Sequence, residues 1–344
     1  MSNGLVFAEG FWGFDGSAAT KPPHVVQTTG EVTGAPANIT ATRSDKGPDG
    51  APSLHMTIPS GNAAQLHLRN AVIFEFPATG KVMASFSLRP VGTNIGSASS
   101  TGYGRFCGFI HPGRIGVAGG TVAVSSPLAL QGFSGPRIQV AYLPGTGANH
   151  AALSRTALSD ITDITTAADS HFEMYLDVTN PAVAEYAVWL DGVQIASGIH
   201  NMSASAPAGV DYSKISHMSW HPQLVGGYDL INLCIFDMEH PDAPALPFGI
   251  VDTEMIHPLE GGNFPISPGS AEMTFPQTSG AMSAYFSAGI DIQDFIEPQT
   301  LRLENLTSSA VRTQTLSPGG ATSVFFDFPP DFLESPDPSM RISL

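Results

Sequence analysis

Hydrophobic and polar residues alternate in three stretches of the chain: Glu173–Val178, Glu185–Ile195 and Tyr228–Asp237. In each stretch large apolar side chains recur at every second position, which is the repeat of a β-strand with one buried face. Within the middle stretch, Asp191-Gly192 lies between alternating hydrophobic residues, and this pair predicts a hairpin because the turn needs positive φ. The pattern predicts a mainly antiparallel sheet protein whose function lies on the surface of a β-sandwich.

Shorter strand-like runs recur through the first two thirds of the chain, separated by turns rich in glycine and proline. They are Val25–Thr28, Ile39–Thr42, Leu54–Ile58, Ala64–Leu68, Val72–Phe76, Val82–Leu88, Phe106–Ile110, Arg137–Leu143 and Phe172–Val178. Many short strands at regular intervals favour a sandwich over an α/β fold. Helical periodicity is confined to Ser159–Ala168, for which we expect one or two turns of helix at most.

Two of the alternating stretches also carry a resemblance. Tyr186–Ile195 and Gly227–Asp237 resemble the closing strands of concanavalin A-like (laminin G-like) jelly rolls, with an aromatic-rich strand, a DG turn and a last strand ending in an aromatic and Asp. The opening Gly4–Asp15 is similar to the start of such domains in structural proteins of tailed bacteriophages. The resemblance covers Leu5–Asp237 and implies a lectin-like jelly roll in a virion protein.

A change in composition after residue 240 predicts a second domain. We expect a concanavalin A-like jelly roll over residues 1–240, a Pro-rich linker over 241–249, and a small β-sandwich over 250–344 with a Pro-rich C-terminal arm that packs on a neighbour or stays mobile. The fold class is therefore all-β. The strands expected after the linker are Ala271–Phe275, Met282–Ser287, Thr300–Leu306, Val311–Leu316 and Val324–Phe328.

Charge and composition exclude several classes of function. Only 13% of the 344 residues are charged, the net charge is −16, and no cluster of lysine and arginine is present, so neither nucleic acid nor an anionic membrane surface is an expected partner. No apolar run is long enough to span a bilayer, and the first residues lack the features of a secretory signal. We expect synthesis in a reducing cytoplasm, with Cys107 and Cys234 as buried free thiols.

Motifs for catalysis are weak. Gly132-Phe-Ser-Gly135 lacks the spacing of a nucleophile elbow, and Thr79-Gly-Lys81 lacks the upstream glycine of a phosphate-binding loop. Glu173 and Asp177 share one strand face, but about 13 Å separates their backbones, too far for both to act on one glycosidic bond. We therefore predict solvated acids on an outer face and no enzyme activity, with a glycoside hydrolase or lyase as the alternative.

Metal sites are equally sparse. His217 and His221 would lie on one strand face but too far apart to bind one ion without further ligands. Asp45 and Asp49 offer two carboxylates in a Gly-rich loop, which makes calcium a possible ligand, although a plain turn fits the loop better. We expect no other cofactor.

Aromatic side chains are the remaining binding candidates. Trp12, Trp189, Trp220 and Tyr228 could stack on sugar rings if they project from a sheet. Trp189 falls on the same strand face as Ala187, whereas Tyr186, Val188 and Leu190 fall on the opposite face, which is the more apolar one. The pattern places Trp189 on the outer face, with burial of the large indole as the alternative.

The function expected from these observations is that of a phage virion structural protein, in a head or tail surface, fibre or decoration role, with a lectin-like domain for assembly and host-surface adhesion. The expected partners are other virion proteins, copies of the chain itself and host surface polysaccharide, and the expected location is the virion. Two alternatives stay open, an enzyme and a glycan-binding lectin without a virion role, because fold alone does not separate these functions.

Overall fold

The structure is a computed structural model, and it describes residues 4–11, 25–27, 40–44, 53–57, 72–91, 105–112, 126–133, 135–143, 156–165, 168–203, 210–220, 227–250, 270–275, 277, 284–291, 297–316, 321–328 and 338–343. The chain divides into two compact units, one of Val6–Thr253 and one of Met1–Leu5 with Glu254–Leu344. The segment 241–249 belongs to the first of these units, and the domain limits expected from the sequence stay a prediction.

Twenty-two strands make up almost all of the regular structure in the described residues. They are β1 Leu5–Glu9, β2 Val25–Gln27, β3 Thr40–Ser44, β4 Ser53–Thr57, β5 Val72–Thr79, β6 Lys81–Val91, β7 Arg105–Ile110, β8 Ser126–Phe133, β9 Arg137–Leu143, β10 Thr156–Ala157, β11 Thr162–Asp163, β12 Ser170–Asp177, β13 Ala184–Leu190, β14 Val193–His200, β15 Ile215–Trp220, β16 Gly227–Asp237, β17 Ser270–Thr274, β18 Ala284–Asp291, β19 Gln299–Asn305, β20 Val311–Leu316, β21 Ala321–Phe328 and β22 Ser339–Ser343. In the described part of the chain one 3-10 turn, Pro181–Val183, precedes β13.

The first unit contains two eight-stranded sheets. Sheet A has the order β14-β13-β12-β6-β16-β4-β3, with β1 also paired to β16, and sheet B has the order β10-β9-β8-β7-β15-β5-β2, with β11 also paired to β9. Neighbouring strands along both orders are antiparallel. The predicted all-β class is thus confirmed.

One hydrophobic core joins the two sheets. Alternate residues of β12 and β13 enter it, among them Phe172 and Tyr186. The Phe86 ring of β6 lies between Phe172, at a centroid distance of 5.4 Å, and Trp220 of sheet B, at 4.7 Å with the rings perpendicular. Side chains from both sheets therefore interdigitate, as expected for a sandwich in which each sheet buries one face against the other.

The predicted hairpin is confirmed. Leu190 pairs with Val193, and the two residues between them, Asp191 and Gly192, have φ values of 50° and 77°. Two successive positive φ angles give a turn whose twist matches that of the flanking strands, which is why Asp-Gly is found there.

Two predictions of local structure were wrong or incomplete. The short helix expected over Ser159–Ala168 is absent among the described residues of that stretch, where Thr162 and Asp163 form β11 and pair with β9 instead. Strand β8 was not predicted at all. All of its eight residues are buried, so its sequence lacks the alternation that marks a half-exposed strand.

The second unit contains a four-stranded sheet, β17-β22-β19-β20, and a two-stranded sheet, β18-β21. Leu301 and Leu303 of β19 and Met340 and Ile342 of β22 are buried, and the register places Leu303 opposite Ile342. Ser339–Ser343 form an interior strand between β17 and β19, and the Pro-rich arm expected before it stays a prediction. Among the described residues no helix is long and apolar enough to cross a lipid bilayer.

Candidate functional site

The aromatic candidates fall into three groups. Trp220 and Tyr228 have no exposed surface and belong to the core, so they are corrected as candidates for a surface glycan site. Trp189 lies on the outer face of sheet A, as its phase predicts, but only 8% of the residue is exposed. Trp12, Asp45 and Asp49 lie outside the described residues, so the stacking and calcium predictions for them stay predictions.

The face of sheet A that points away from the core carries an unusual number of polar side chains. The register places Glu173 of β12 opposite Ser85 and Trp189, and it places Asp229 of β16 opposite both Arg89 of β6 and His55 of β4. Residues directly opposite in antiparallel strands lie about 5 Å apart on the same face. We call this set the outer polar face; its members are Ser53, His55, Ser85, Ser87, Arg89, Asp169, His171, Glu173, Trp189 and Asp229.

One end of the outer polar face reaches solvent. His55 Nδ1 lies 3.1 Å from Asp229 Oδ1, and the two side chains are 26% and 3% exposed. Arg89 donates from Nε and Nη2 to the two carboxylate oxygens of Asp169, at 2.6 and 3.0 Å, and keeps 34% of its side chain exposed. A two-point contact of this kind fixes the guanidinium plane as well as its position. Both exposed side chains are thus held in place by acidic partners.

The other end of the face is closed by the chain itself. Glu173 is fully buried, and its two carboxylate oxygens accept hydrogen bonds from the backbone N–H groups of Phe248 and Gly249, each at 3.0 Å. The Phe248 ring packs edge-on against Phe236 of β16 at 4.9 Å. The prediction that Glu173 is a solvated acid was therefore wrong. Phe248 and Gly249, at the end of the segment 241–249 that was expected as a linker, lie against the sheet at this point.

His171 lies beside the buried carboxylate of Glu173. Its Nδ1 lies 3.3 Å from Ser87 Oγ and its Nε2 lies 3.7 Å from Glu173 Oε1, and 6% of the residue is exposed. Contacts from Ser87 through His171 to Glu173 therefore link β6 to the buried end of the face.

A separate cluster of charges lies where strands of sheet A end. Lys81 Nζ is 3.0 Å from Asp177 Oδ2, and Glu239 accepts from the Gly80 N–H at 3.0 Å and from Lys214 at 3.4 Å. Burial raises the pKa of Asp177, but hydrogen bonds from Thr179 and Lys81 outweigh it and bring the pKa below its usual value. Each acid in this cluster pairs with a lysine or accepts a hydrogen bond from a backbone N–H, so the cluster stabilises the turns at the strand ends.

His217, which was considered as a metal ligand, has other contacts in the structure. His217 contacts Ser216 Oγ at 2.6 Å and lies 3.8 Å from Glu75, and burial lowers its pKa although Glu75 opposes that shift. His221 lies outside the described residues. Among the residues that the structure describes, no group of three or more His, Cys, Asp and Glu side chains could bind a metal ion.

The end of the outer polar face that reaches solvent, which contains His55 and Arg89 and is called the open end below, can both donate and accept hydrogen bonds. A carboxylate can only accept, so Asp229 takes the Nδ1–H of His55 and leaves the Nε2 of a neutral imidazole as an acceptor or base. Arg89 retains N–H donors on Nη1, because its contact with Asp169 uses Nε and Nη2. Sequence inspection missed His55, Arg89, Asp169 and Asp229. The one indication was a charged residue, Arg89 or Asp229, within an otherwise apolar strand.

No protein-family model and no curated protein matches the chain. Solved structures with a similar arrangement include an endo-β-1,4-glucuronan lyase from the fungus Trichoderma reesei (11% identity, TM-score 0.41, covering 67% of this chain and 95% of that one). Others are a carbohydrate esterase from the Shiga toxin-encoding bacteriophage phi24B (9%, 0.36, 61% and 98%) and the VIP36 exoplasmic domain in a Ca²⁺/Man3GlcNAc-bound form (12%, 0.34, 63% and 90%). These neighbours are carbohydrate-active or carbohydrate-binding proteins. Likeness at this level assigns no activity to the chain.

Proposed function

We propose that the chain is a structural protein of a tailed-phage particle whose first unit binds glycan at the open end of the outer polar face. The observation that supports this most directly is the pair of partly exposed side chains, His55 and Arg89, each oriented by an acid. Polar groups fixed in advance on a rigid sheet bind hydroxyl groups without a further cost in side-chain entropy.

The charge of the open end favours a neutral sugar. Arg89 is balanced by Asp169, and Asp229 lies beside His55, so no unbalanced positive charge is present to attract an acidic one. Sugar hydroxyls both donate and accept, and they match the N–H groups of Arg89 and the free nitrogen of His55. The ligand class that fits is a neutral polysaccharide chain lying across β6, β16 and β4.

The virion role is supported by the sequence. The stretches that resemble lectin-like jelly rolls form β13, β14 and β16, and the opening Gly4–Asp15, whose likeness is to phage structural proteins, contains β1. On this proposal the partners are other virion proteins, copies of the chain and host surface polysaccharide. The protein is made in the host cytoplasm and acts in the assembled particle.

A glycan array followed by titration of the best ligand tests the binding proposal. We expect Arg89→Ala and His55→Ala each to weaken binding about tenfold or more, equivalent to about 1.4 kcal/mol, through loss of charge-assisted or oriented hydrogen bonds. The matched control is Arg341→Ala, which removes an arginine in an exposed ion pair with Glu272 in the second unit. Absence of binding to any neutral glycan, or equal loss in the control, would refute the proposal.

An enzyme is the second candidate, and one observation favours it. His55 is oriented by the buried Asp229 and is partly exposed, which suits a general base. If the wild-type protein released reducing or unsaturated sugar ends from a polysaccharide and His55→Gln did not, a hydrolase or lyase function would replace simple binding.

A further inference from the structure

Strand β14 forms one edge of sheet A. It pairs with β13 along its length and with no other strand among those described, so its outward backbone groups face away from the sheet. Its eight residues, Val-Gln-Ile-Ala-Ser-Gly-Ile-His, include no lysine, arginine, acid or proline. Long edge strands without such residues are templates for pairing with another chain, and monomeric proteins usually protect them.

The other sheet edges in the described residues differ in this respect. In the first unit, β2 and β10 have only three and two residues, and β3 contains Arg43. In the second unit, β17 contains Glu272 and β20 contains Arg312. Both strands of the two-stranded sheet contain an aspartate. Edges elsewhere are therefore short or charged, and β14 is neither.

Exposed apolar side chains lie on the same strand. Val193 is 65% exposed and Ile199 is 71% exposed, the two largest values among the exposed apolar residues of the described chain. Ile199 lies opposite Glu185 on the outer side of the sheet, and Val193 follows the hairpin turn. These side chains add exposed apolar surface at the two ends of an edge strand that carries no charge to discourage pairing.

We propose that a second copy of this chain covers β14, by antiparallel pairing of β14 with β14 about a two-fold axis. The net charge of −16 opposes self-association over most of the surface, and β14 is a long sheet edge where no charged side chain enters the contact. The two-fold operation brings the Asp191 end of one strand to the His200 end of the other, which keeps the two Asp191 residues apart. An isologous contact of this kind closes as a dimer.

This inference gives a surface to the self-association included in the proposed function, but it does not depend on glycan binding. The residues of the open end, His55 and Arg89, lie on β4 and β6, separated from β14 by β13 and β12. The dimer and the glycan site can therefore fail independently, and each has its own measurement.

Sedimentation velocity of the full chain over a wide dilution series tests the pairing. The wild type is expected at twice the chain mass of 36.0 kDa, and Ile199→Lys at the mass of one chain, because a lysine on an edge strand opposes pairing with another chain. The matched control is Ile250→Lys, in which the replaced isoleucine is 64% exposed but lies off the strand. Val193→Lys is the second variant, and near-ultraviolet circular dichroism verifies that each protein is folded.

The expected result is a dimer for wild type and Ile250→Lys, with dissociation constants about tenfold or more higher for both β14 variants. Slowed amide hydrogen exchange in β14 on dimer formation would locate the contact. A wild-type chain that stays monomeric throughout, or an oligomer that neither β14 variant weakens, would overturn the proposal. Unchanged glycan affinity in Ile199→Lys would show that the two surfaces are separate.

Discussion

A single carboxylate, that of Glu173, ties the Pro-rich segment to the sheet. It is fully buried, accepts two backbone N–H groups from Phe248 and Gly249, and lies 3.7 Å from His171. Buried charge is tolerated only where hydrogen bonds replace water, and the two amides supply them. Since Gly249 has a φ of 90°, the backbone turns both N–H groups toward the same side chain in a conformation that favours glycine.

Replacing Glu173 by Gln should therefore weaken the attachment of the Pro-rich segment to the sheet. One carboxylate oxygen becomes an amide NH₂ that faces a backbone N–H, so one donor is left without an acceptor at a cost of about 1–3 kcal/mol in the free energy of unfolding. We expect faster limited proteolysis within residues 240–250 and a lower thermal midpoint. Glu185→Gln, the same change at an exposed position of β13, is the control. Equal proteolysis rates in the two variants would contradict the role given to Glu173.

At the scale of strands, the sequence pattern identifies a strand when one face of it is exposed to solvent. The alternation in β13 predicted the phase of Tyr186 and Trp189 correctly, and the Asp-Gly turn predicted the hairpin. The same rule failed for β8, which is buried on both faces. It also misjudged the exposure of Glu173 and left the burial of Trp189 open, since alternation predicts which face a residue occupies but not what chain segment covers that face.

The open end of the candidate site could not be predicted for a different reason. His55 and Asp229 are separated by 174 positions in sequence, and Arg89 and Asp169 by 80. His55 meets Asp229 because β4 pairs with β16, and Arg89 meets Asp169 because β6 pairs with β12, and both pairings are long-range. A single sequence contains no local pattern that fixes such pairings, so residues of this kind become visible only in the fold.

The strand-end pair of Lys81 and Asp177 predicts a pH dependence of stability. The pKa of Asp177 is lowered in the folded state, so the ionised form stabilises the protein above the unfolded pKa of about 4, and that contribution is lost as the pH falls through the folded value. Asp177→Asn should lower the free energy of unfolding at neutral pH by less than about 1 kcal/mol, because solvent screens a partly exposed pair. The gap between variant and wild type should close on acidification.

Urea unfolding measured at several pH values between neutrality and about pH 3 tests this prediction. Asp160→Asn, at an exposed position before β11, serves as the control and should follow the wild-type curve. A difference between Asp177→Asn and wild type that stays constant across the acid range would mean that the carboxylate does not stabilise the fold through its charge.

At the scale of the whole molecule, the two units have separate cores. That of the first unit lies between sheets A and B, whereas the second unit buries Leu301, Leu303, Met340 and Ile342 in its own four-stranded sheet. Strand β22 is interior to that sheet and pairs with β17 on one side and β19 on the other. The last residues of the chain are therefore part of the second core, and their removal should affect one unit only.

A chain that ends at Asp337 loses β22 and with it two buried apolar side chains, each worth about 1.5–3 kcal/mol, as well as both strand pairings. This loss is comparable to the whole stability of a small domain. Differential scanning calorimetry should then show that the transition of the second unit disappears while that of the first unit keeps its midpoint. A chain ending at Ser343 retains β22 and should show both transitions. If the shorter chain instead lost both transitions together, the two units would fold as one cooperative structure.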